Sequence, residues 1–322
     1  MIKFSIVVGV LNNPELARTT LKMMLGNLSR SEETELIVID NGSDVPFTLD
    51  GMEMPGSAEI RIVRNEVNSG NYPLFFQANE IAKGEIIAFM HSDVFVYQKG
   101  WDESVRAQFE IRNKMGLLGF IGSTQLDAHG GRGLGTVSNM QGRMTMEATT
   151  VQNAALETRK SWSGSRGDVH GKQDAGMTVD GSVVDGCVMI FRKSVFDQIE
   201  FKPQYACHHF YDRLMSCQVI ELGYTIGILG VEFDHVSGQT ANTQQKWQDT
   251  SAAWFKINLG IDTPQEWAKV REDWVQRGRM NPSAGKVPDQ WDYAAYLEGE
   301  YQFLKEYRDE KHLVPLHMGK RV

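Results

Sequence analysis

A short apolar run that ends in a polar break is the feature that most constrains the fold of this chain. Residues 86–90 are all apolar, and His91, Ser92 and Asp93 follow them directly. A run this short, preceded by a Lys-Gly pair, predicts a central strand of a parallel sheet. Since ligands of open α/β sheets bind at the carboxyl ends of strands, Asp93 is well placed to hold a metal and a phosphate. The alternative is that Asp93 only caps the following turn or helix.

Strand and helix signals alternate over the first hundred residues. Buried strands are predicted at 6–10, 35–39, 60–63 and 86–90. Helices are predicted between them, one beginning near Pro14 and one over 75–82. This alternation predicts an α/β fold with a Rossmann-like, mostly parallel central sheet flanked by helices. Further strands are predicted at 183–191 and 225–233, around a helix over 212–222.

The character of the chain changes twice after the first hundred residues. Residues 121–180 are rich in Gly, Ser, Thr and Met and carry a basic island, which predicts a long functional or mobile loop. From residue 241 onward, tryptophans punctuate a polar, helix-rich tail. Trp247 and Trp254 are seven residues apart and share one helix face, which predicts packing on the main domain, or a lid or acceptor-binding platform. We therefore expect a main domain over 1–240 and a helical C-terminal extension over 241–322.

Composition limits the classes of function open to the chain. At 322 residues it can bury a full core with an appendage, and its net charge of −8 excludes a molecule built as a whole to coat nucleic acid. Three irregularly spaced cysteines are typical of a reducing compartment, and the Cys-His-His run at 207–209 lacks a second ligand pair at zinc spacing. The N-terminus has no signal-peptide pattern and no apolar run reaches ~18 residues, so we expect a cytoplasmic protein.

Several acidic and imidazole side chains stand where a parallel sheet gathers its functional groups. Asp40, Asp93 and His235 each follow a predicted strand, and Asp212 begins a predicted helix. Asp and His beside a diphosphate suit Mn²⁺ or Mg²⁺. The chain has neither a P-loop nor a Gly-x-Gly-x-x-Gly sequence after its first strand, which disfavours P-loop enzymes and dinucleotide dehydrogenases.

Taken in order, these blocks resemble the inverting glycosyltransferases of family 2, which have the GT-A fold. The similar blocks are the strand-turn segments 5–15 and 35–43, the third block at 68–70 and 82–85, the Asp-x-Asp position at 91–93, and the acceptor-site strand at 184–193. Asp212 matches the catalytic Asp of the family by its spacing to the Gly-Tyr pair at 223–224, and His235 matches the later metal-binding His. The resemblance covers about residues 4–240, apart from the loop.

The resemblance implies metal-dependent sugar transfer, with inversion, from a nucleotide diphosphate sugar to an acceptor hydroxyl. A UDP-sugar is the favoured donor, Asp212 the general base, and Asp93 and His235 the ligands of Mn²⁺ or Mg²⁺. The donor-binding residues expected are Gly9, Val10, Leu11, Asp40 (reading the base), Gly70, His91 and Ser92. Asp185 and Gly186 are expected to bind the acceptor. Residues 1–120 then form the nucleotide-sugar-binding half and 181–240 the acceptor half.

The chain departs from the family pattern at four positions. His91 replaces the first carboxylate of Asp-x-Asp, and Phe76 stands where many members have Asn. Tyr211 precedes the catalytic position, where an acidic residue is common, and Leu214 replaces a later acidic residue. These changes bear on the donor sugar and the metal affinity more than on the fold.

Two other classes of protein compete with this interpretation. A nucleotidyltransferase would want a basic, Gly-rich stretch after the first strand, and residues 9–13 contain no Lys or Arg. A non-catalytic nucleotide-sugar-binding protein is favoured by His91 but disfavoured by the retention of Asp93, Asp212 and His235.

The acceptor is left open by the sequence. A soluble glycan, a protein, a small molecule and DNA modified by a viral-type sugar transferase all remain candidates. The basic loop with Trp162 is expected to grip an anionic acceptor, although a DNA-binding protein would be more basic overall and would have to flip the target base. The oligomeric state is also open.

Overall fold

The computed structural model describes an α/β chain built on one large sheet. The described residues are 3–126, 130–132, 135–140, 174–205, 208–236, 245–272 and 287–310. The strands are β1 Phe4–Val10, β2 Thr34–Asn41, β3 Glu59–Asn65, β4 Ile86–His91, β5 Val94–Val96, β6 Met115–Gly119, β7 Ile121–Ser123, β8 Thr136–Ser138, β9 Thr178–Gly181, β10 Val183–Val184, β11 Val188–Arg192, β12 Thr225–Leu229 and β13 Phe233–His235.

Helices cover both faces of this sheet. They are α1 Pro14–Gly26, α2 Asn71–Ile81, α3 Trp101–Ile111, α4 Lys193–Phe196, α5 Tyr211–Glu221, α6 Gln245–Leu259, α7 Pro264–Val270 and α8 Trp291–Leu304, with a 3-10 turn at Ser31–Glu33 and a π-helical turn at Lys305–Glu310. Side chains of α1 and α3 pack in one apolar cluster on one face, and those of α2 and α5 pack in another on the opposite face. None of the helices in the described ranges is both long and apolar enough to cross a bilayer.

The main sheet has the strand order β3-β2-β1-β4-β11-β6-β12-β9. Strands β3, β2, β1 and β4 run parallel, as the alternating strand and helix signals predict. Strand β11 enters antiparallel between β4 and β6, while β12 is parallel to β6. The predicted fold class, a mostly parallel α/β sheet flanked by helices with C-terminal helices after it, is confirmed.

The strand register brings the carboxyl ends of the parallel strands together. Gly9 of β1 is paired with Ile39 of β2 on one side and with His91 of β4 on the other. Because these paired strands run parallel, the turns that follow β1, β2 and β4 lie at one edge of the sheet. This edge holds the site described below.

Two predicted strands are each interrupted in the structure. The strand predicted over 183–191 is split into β10 and β11, which belong to different sheets. The strand predicted over 225–233 ends at Leu229, and the next residues form β13, which pairs with β5. Each segment was predicted as one strand because buried apolar residues continue on both sides of the break.

The C-terminal helices pack on the main sheet domain and on one another. Phe303 and Tyr307 are fully buried in the same apolar cluster as Phe210. A second, smaller cluster is formed among the helices themselves and includes Phe255 and Trp267. Of the two tryptophans predicted to share a packed helix face, Trp247 is buried at 8% exposure and Trp254 is half-buried.

Candidate active site

A cavity of about 420 Å³ opens at the carboxyl edge of the parallel strands. Its walls come from the ends of β1 and β4, the turn before β11, the loop leading into α5, and helices α6 and α8. Residues far apart in the sequence therefore face one space.

His91, Asp93 and His235 form a tight cluster on the wall of this cavity. His91 ends β4, and the pairing of β13 with β5 sets His235 beside Val94, next to Asp93. His235 Nε2 lies 3.3 Å from Asp93 Oδ1 and 3.4 Å from His91 Nδ1. One ligand atom from each residue lies within 4.8 Å of the other two, a spacing at which one metal ion can be shared.

The environment sets the charge of each member of the cluster. Burial, followed by the charge of His235, lowers the pKa of His91 to about 4, so its imidazole is neutral at pH 7. Burial alone would raise the pKa of Asp93, but the charge and hydrogen bond of His235 outweigh it and the pKa is lowered. A neutral imidazole and a carboxylate both present lone pairs, as a metal ligand must.

Asp212 faces the same cavity from the first turn of α5. Its Oδ1 accepts hydrogen bonds from the Arg213 backbone N–H and from Arg213 Nη1, both at 2.9 Å. Burial would raise the pKa of this carboxyl, but the charges of Arg213 and Arg132 lower it overall. Asp212 is therefore ionised at neutral pH, although it is only 6% exposed.

The loop before α5 has a strained backbone at the entry to the helix. Phe210 has φ of 62°, in the left-handed region that a bulky side chain rarely adopts. The Arg213 guanidinium lies 4.4 Å from the centre of its ring, and Tyr296 and Phe303 of α8 pack on it. The C-terminal helix thus holds the turn from which Tyr211 and Asp212 project.

The turn before β11 forms the opposite wall of the cavity. Asp185 Oδ1 accepts a hydrogen bond from the Cys187 backbone N–H at 2.9 Å, and its other oxygen pairs with Arg132. Gly186 lies directly against Tyr211, where an added Cβ would be 2.8 Å from Tyr211 Cζ. Asp185 and Gly186, predicted to bind an acceptor, both line the cavity. Trp162, the third predicted acceptor residue, lies outside the described residues.

Tyr211 is a central residue whose part in the site the sequence did not reveal. Its hydroxyl lies 3.2 Å from His91 Nε2, and its ring stacks over Tyr72 with the ring centres 6.1 Å apart. Burial raises the pKa of this phenol, which keeps its proton. The only signal in the sequence is that Tyr211 stands where an acidic residue is common.

The predicted donor residues divide into two groups. Gly9, Val10, Leu11, His91 and Ser92 line the cavity. Asp40 and Gly70 are not among the residues described as lining it.

Asp40 is engaged within the protein. Its oxygens accept hydrogen bonds from the backbone N–H groups of Ser43 and Phe47, at 3.0 and 2.9 Å, and it pairs with Arg64. Burial would raise the pKa of Asp40, but these hydrogen-bond partners outweigh it and the pKa is lowered. Asn41, the next residue, lines the cavity in its place. Gly70 instead begins α2 with φ of 87° and accepts a hydrogen bond from Asn41 Nδ2.

Helices α6 and α8 contribute side chains to the cavity that the sequence did not indicate as site residues. Trp247 and Tyr296 line it, together with His208 and His209 of the loop before α5. Asp292 of α8 connects α6 to the loop before α5. Its Oδ1 accepts a hydrogen bond from Trp247 Nε1 at 2.6 Å and lies 2.8 Å from His209 Nε2. Their only signals were the tryptophan spacing and the His pair.

The central sheet and flanking helices are those of a GT-A-like fold, and a family match identifies the chain as a glycosyltransferase. The model described as "Glycosyltransferase like family" matches residues 51–258, well over half of the chain, and the chain belongs to this family. The matched segment contains Asp93, Asp212 and His235.

Curated sequences and solved structures differ in what they match to this chain. No curated protein sequence matches it. Among solved structures, a similar chain is the mannosyltransferase PcManGT from Pyrobaculum calidifontis in complex with GDP-Man and Mn²⁺. That chain is 13% identical, with a TM-score of 0.47, and the match covers 92% of this chain and 69% of that one.

Proposed function

We propose that this glycosyltransferase moves a sugar from a nucleotide diphosphate sugar, with a UDP-sugar favoured, to an acceptor hydroxyl with inversion at the anomeric carbon. The observation that carries the proposal is the presence of two different chemical groups in one cavity: the His91–Asp93–His235 cluster and the ionised carboxylate of Asp212. The first is suited to a metal that contacts a diphosphate, and the second to a base.

A divalent metal fits the donor set of the cluster. Asp93 and His235 would hold it, and His91 is close enough to be a third ligand. Two imidazole nitrogens and one carboxylate suit Mn²⁺ better than Mg²⁺, which prefers oxygen ligands throughout. When bound, such an ion stabilises the negative charge that develops on the leaving diphosphate.

Asp212 is the proposed general base. Its lowered pKa keeps it free to accept a proton from the acceptor hydroxyl as that oxygen attacks the anomeric carbon. The new carbon–oxygen bond forms while the bond to the diphosphate breaks, and the nucleotide diphosphate leaves. Arg213 holds the carboxylate in place through two hydrogen bonds to Oδ1, so the second oxygen is the one proposed to take the proton.

The nucleotide is proposed to lie along the ends of β1 and β2. Gly9 has no side chain to fill that part of the cavity, and a Cβ there would lie 2.7 Å from Leu74 Cδ1. Asn41 and Asn68 also face this part of the cavity and are hydrogen-bonded to each other at 2.7 Å. Amide groups of this kind suit the polar edge of a base.

The decisive experiment measures nucleotide release and sugar transfer by the purified protein. We expect release of UDP from a UDP-sugar in the presence of Mn²⁺, and its loss when EDTA removes the metal. The variant Asp212→Asn should bind the donor as tightly as the wild type while turnover falls by about 10²–10⁴-fold. The matched control is Asp50→Asn, the same chemical change at an exposed position.

The outcomes separate the proposal from its competitors. Nucleotide-sugar binding with no release in any metal would identify a non-catalytic binding protein. Full turnover by Asp212→Asn would remove that residue as the base. Salt-sensitive binding of a DNA duplex would favour a DNA acceptor, an idea that depends largely on residues 141–173, which lie outside the described residues.

A further inference from the structure

His208 is a buried imidazole on the wall of the cavity. It is 4% exposed and lines the cavity between the C-terminal helices and α5. Neither of its ring nitrogens makes a hydrogen bond of acceptable geometry to any part of the chain that the structure describes. Buried polar side chains are nearly always hydrogen-bonded, so this ring lacks a partner that a ligand can supply.

Trp247 fixes the orientation of that ring. The two rings stack with their centres 3.5 Å apart and their planes 14° from parallel. Trp247 is itself held by the hydrogen bond from its Nε1 to Asp292, which also contacts His209. Asp292 is in turn held by its backbone N–H, which donates to Gln248 Oε1 at 3.0 Å. The unpartnered nitrogens are thus presented by a rigid support and not by a loose side chain.

The chemistry of His208 matches a sugar hydroxyl. Burial, and then the charge of His209, lower its pKa to about 3, opposed by the charge of Asp292 and by a contact with the Trp247 backbone that does not meet hydrogen-bond geometry. A neutral imidazole offers one N–H donor and one nitrogen acceptor, and a hydroxyl can donate and accept in the same way. An anionic ligand group would gain less here, because the ring carries no charge at pH 7.

We propose that His208 is a specificity-determining residue that hydrogen-bonds a carbohydrate hydroxyl in the cavity, supported by Trp247 and Asp292. This inference rests on the proposed glycosyl transfer and extends it to recognition of the sugar. His208 is four residues before Asp212, on the loop that leads into α5, while α6 also reaches the nucleotide side through the Lys246 Nζ bond to the Gly42 carbonyl. The hydroxyl can therefore belong to the transferred sugar or to the acceptor, which the experiment distinguishes.

The test uses the full-length protein with Mn²⁺ and two substitutions at one position. His208→Phe keeps a flat ring to stack on Trp247 but has no polar atom, whereas His208→Gln keeps a donor and an acceptor. Trp254→Phe is the matched control. Trp254 lies on α6, as Trp247 does, and its Nε1 donates a hydrogen bond to the Pro203 carbonyl. It is not among the residues that line the cavity. Thermal melting checks that each variant is folded. His208→Phe should melt no lower than the wild type, because it removes unpaired buried nitrogens.

Three probes separate the sources of the hydroxyl. UDP alone reports the nucleotide site, and all variants should bind it like the wild type. A panel of UDP-glucose, UDP-galactose and UDP-N-acetylglucosamine reports the donor sugar through kcat/KM for UDP release. Methyl glycosides added with UDP and Mn²⁺ report the acceptor side through their Kd.

The expected result is a loss of about tenfold or more in His208→Phe, with partial recovery in His208→Gln. If the loss appears as reduced discrimination within the UDP-hexose panel, the hydroxyl belongs to the transferred sugar. If it appears in glycoside binding, the hydroxyl belongs to the acceptor. Wild-type behaviour of His208→Phe in both measurements overturns the inference while leaving the proposed transfer intact. A wild-type protein that neither binds UDP nor releases it overturns both.

Discussion

At the scale of single residues, the site differs from its family pattern in how it pairs imidazoles with carboxylates. His91 replaces a carboxylate, and the structure sets its Nδ1 against His235 and its Nε2 against Tyr211. Tyr211, another position at which the chain departs from the family pattern, therefore contacts His91 directly. A histidine in a metal site is usually oriented by a partner on its other nitrogen, and the phenol of Tyr211 is in that position.

The proposed metal ligands are testable by substitution and chelation. In Asp93→Asn, the Mn²⁺ concentration that gives half-maximal activity should rise by more than about tenfold, since even outer partners of a metal site contribute 10–100-fold in affinity. The measurement is a Mn²⁺ titration of UDP release after EDTA treatment. Asp180→Asn, an exposed carboxylate paired with Arg112, is the matched control and should leave the titration unchanged. An unaltered Mn²⁺ requirement in Asp93→Asn would move the metal elsewhere.

Gly186 provides a steric test of the wall that supports Tyr211. A Cβ at this position would lie 2.8 Å from Tyr211 Cζ and closer still to the phenol oxygen. Gly186→Ala should therefore displace Tyr211 from His91, lowering the free energy of unfolding by about 1–3 kcal/mol and reducing turnover. Urea denaturation and UDP release measure the two effects.

Gly26 is the matched control for this substitution. It lies at the end of α1, where the nearest side-chain atom to an added Cβ is 3.5 Å away. Gly26→Ala should be neutral or stabilising, because alanine favours the helix more than glycine does. Equal effects of the two substitutions would show that the contact with Tyr211 is unimportant.

At the scale of elements, the sequence predicted the parallel strands well and the antiparallel ones poorly. Strand β4 was readable because residues buried on both faces form an unbroken apolar run. The antiparallel direction of β11 could not be predicted, because an apolar run does not indicate whether its neighbouring strands are parallel or antiparallel to it. The same limit hid β13, whose pairing with β5 brings His235 to Asp93.

The C-terminal helices illustrate a further limit of sequence analysis. The spacing of Trp247 and Trp254 predicted a helix face packed on the main domain, which describes only one of the two roles of Trp247. Trp247 also lines the cavity through its stack on His208, a contact between residues 39 positions apart that no local pattern encodes. Of the strand-end side chains expected at the site, Asp93 and His235 line the cavity and Asp40 does not, while the cavity residues brought in by a packed helix have no local signal.

A buried ion pair joins α7 to α8 and can be tested at this scale. Glu298 is fully buried and accepts hydrogen bonds from Trp267 Nε1 at 2.8 Å and from Arg271 Nε at 2.9 Å. Glu298→Gln removes the charge that Arg271 requires and should destabilise the helices by about 3–5 kcal/mol. Hydrogen exchange should then accelerate in α7 and α8 more than in the strands of the main sheet.

The matched control lies in α7 itself. Glu266 accepts a hydrogen bond from the Asp262 backbone N–H at an exposed position. Glu266→Gln should change the stability by less than about 0.5 kcal/mol, as is usual for surface substitutions. If Glu298→Gln were equally mild, the two helices would be held together by their apolar contacts alone.

At the scale of the whole molecule, the C-terminal extension and the sheet domain share one core. Phe303 and Tyr307 are fully buried in the cluster that contains Phe210, and Lys202 pairs with Glu306. On the other side, Lys246 and Thr250 of α6 bond to the carbonyls of Gly42 and Asn68 at 2.6 and 3.3 Å. The extension thus touches both the loop that leads into α5 and Asp212, and the edge proposed to bind the nucleotide.

This shared core predicts the behaviour of a shortened chain. A protein ended after residue 240, the predicted domain boundary, loses Phe303 and Tyr307 and leaves Phe210 without its contacts to Tyr296 and Phe303. Since removing one buried aromatic side chain costs about 3–5 kcal/mol, a figure comparable to the net stability of many domains, we expect this protein to unfold or to bind UDP poorly. A protein ended after residue 310 keeps all of these contacts and should match the full chain in urea denaturation and UDP release. Wild-type stability of the shorter protein would instead identify residues 1–240 as an independent folding unit, and Phe210 would then hold its left-handed backbone without help from α8.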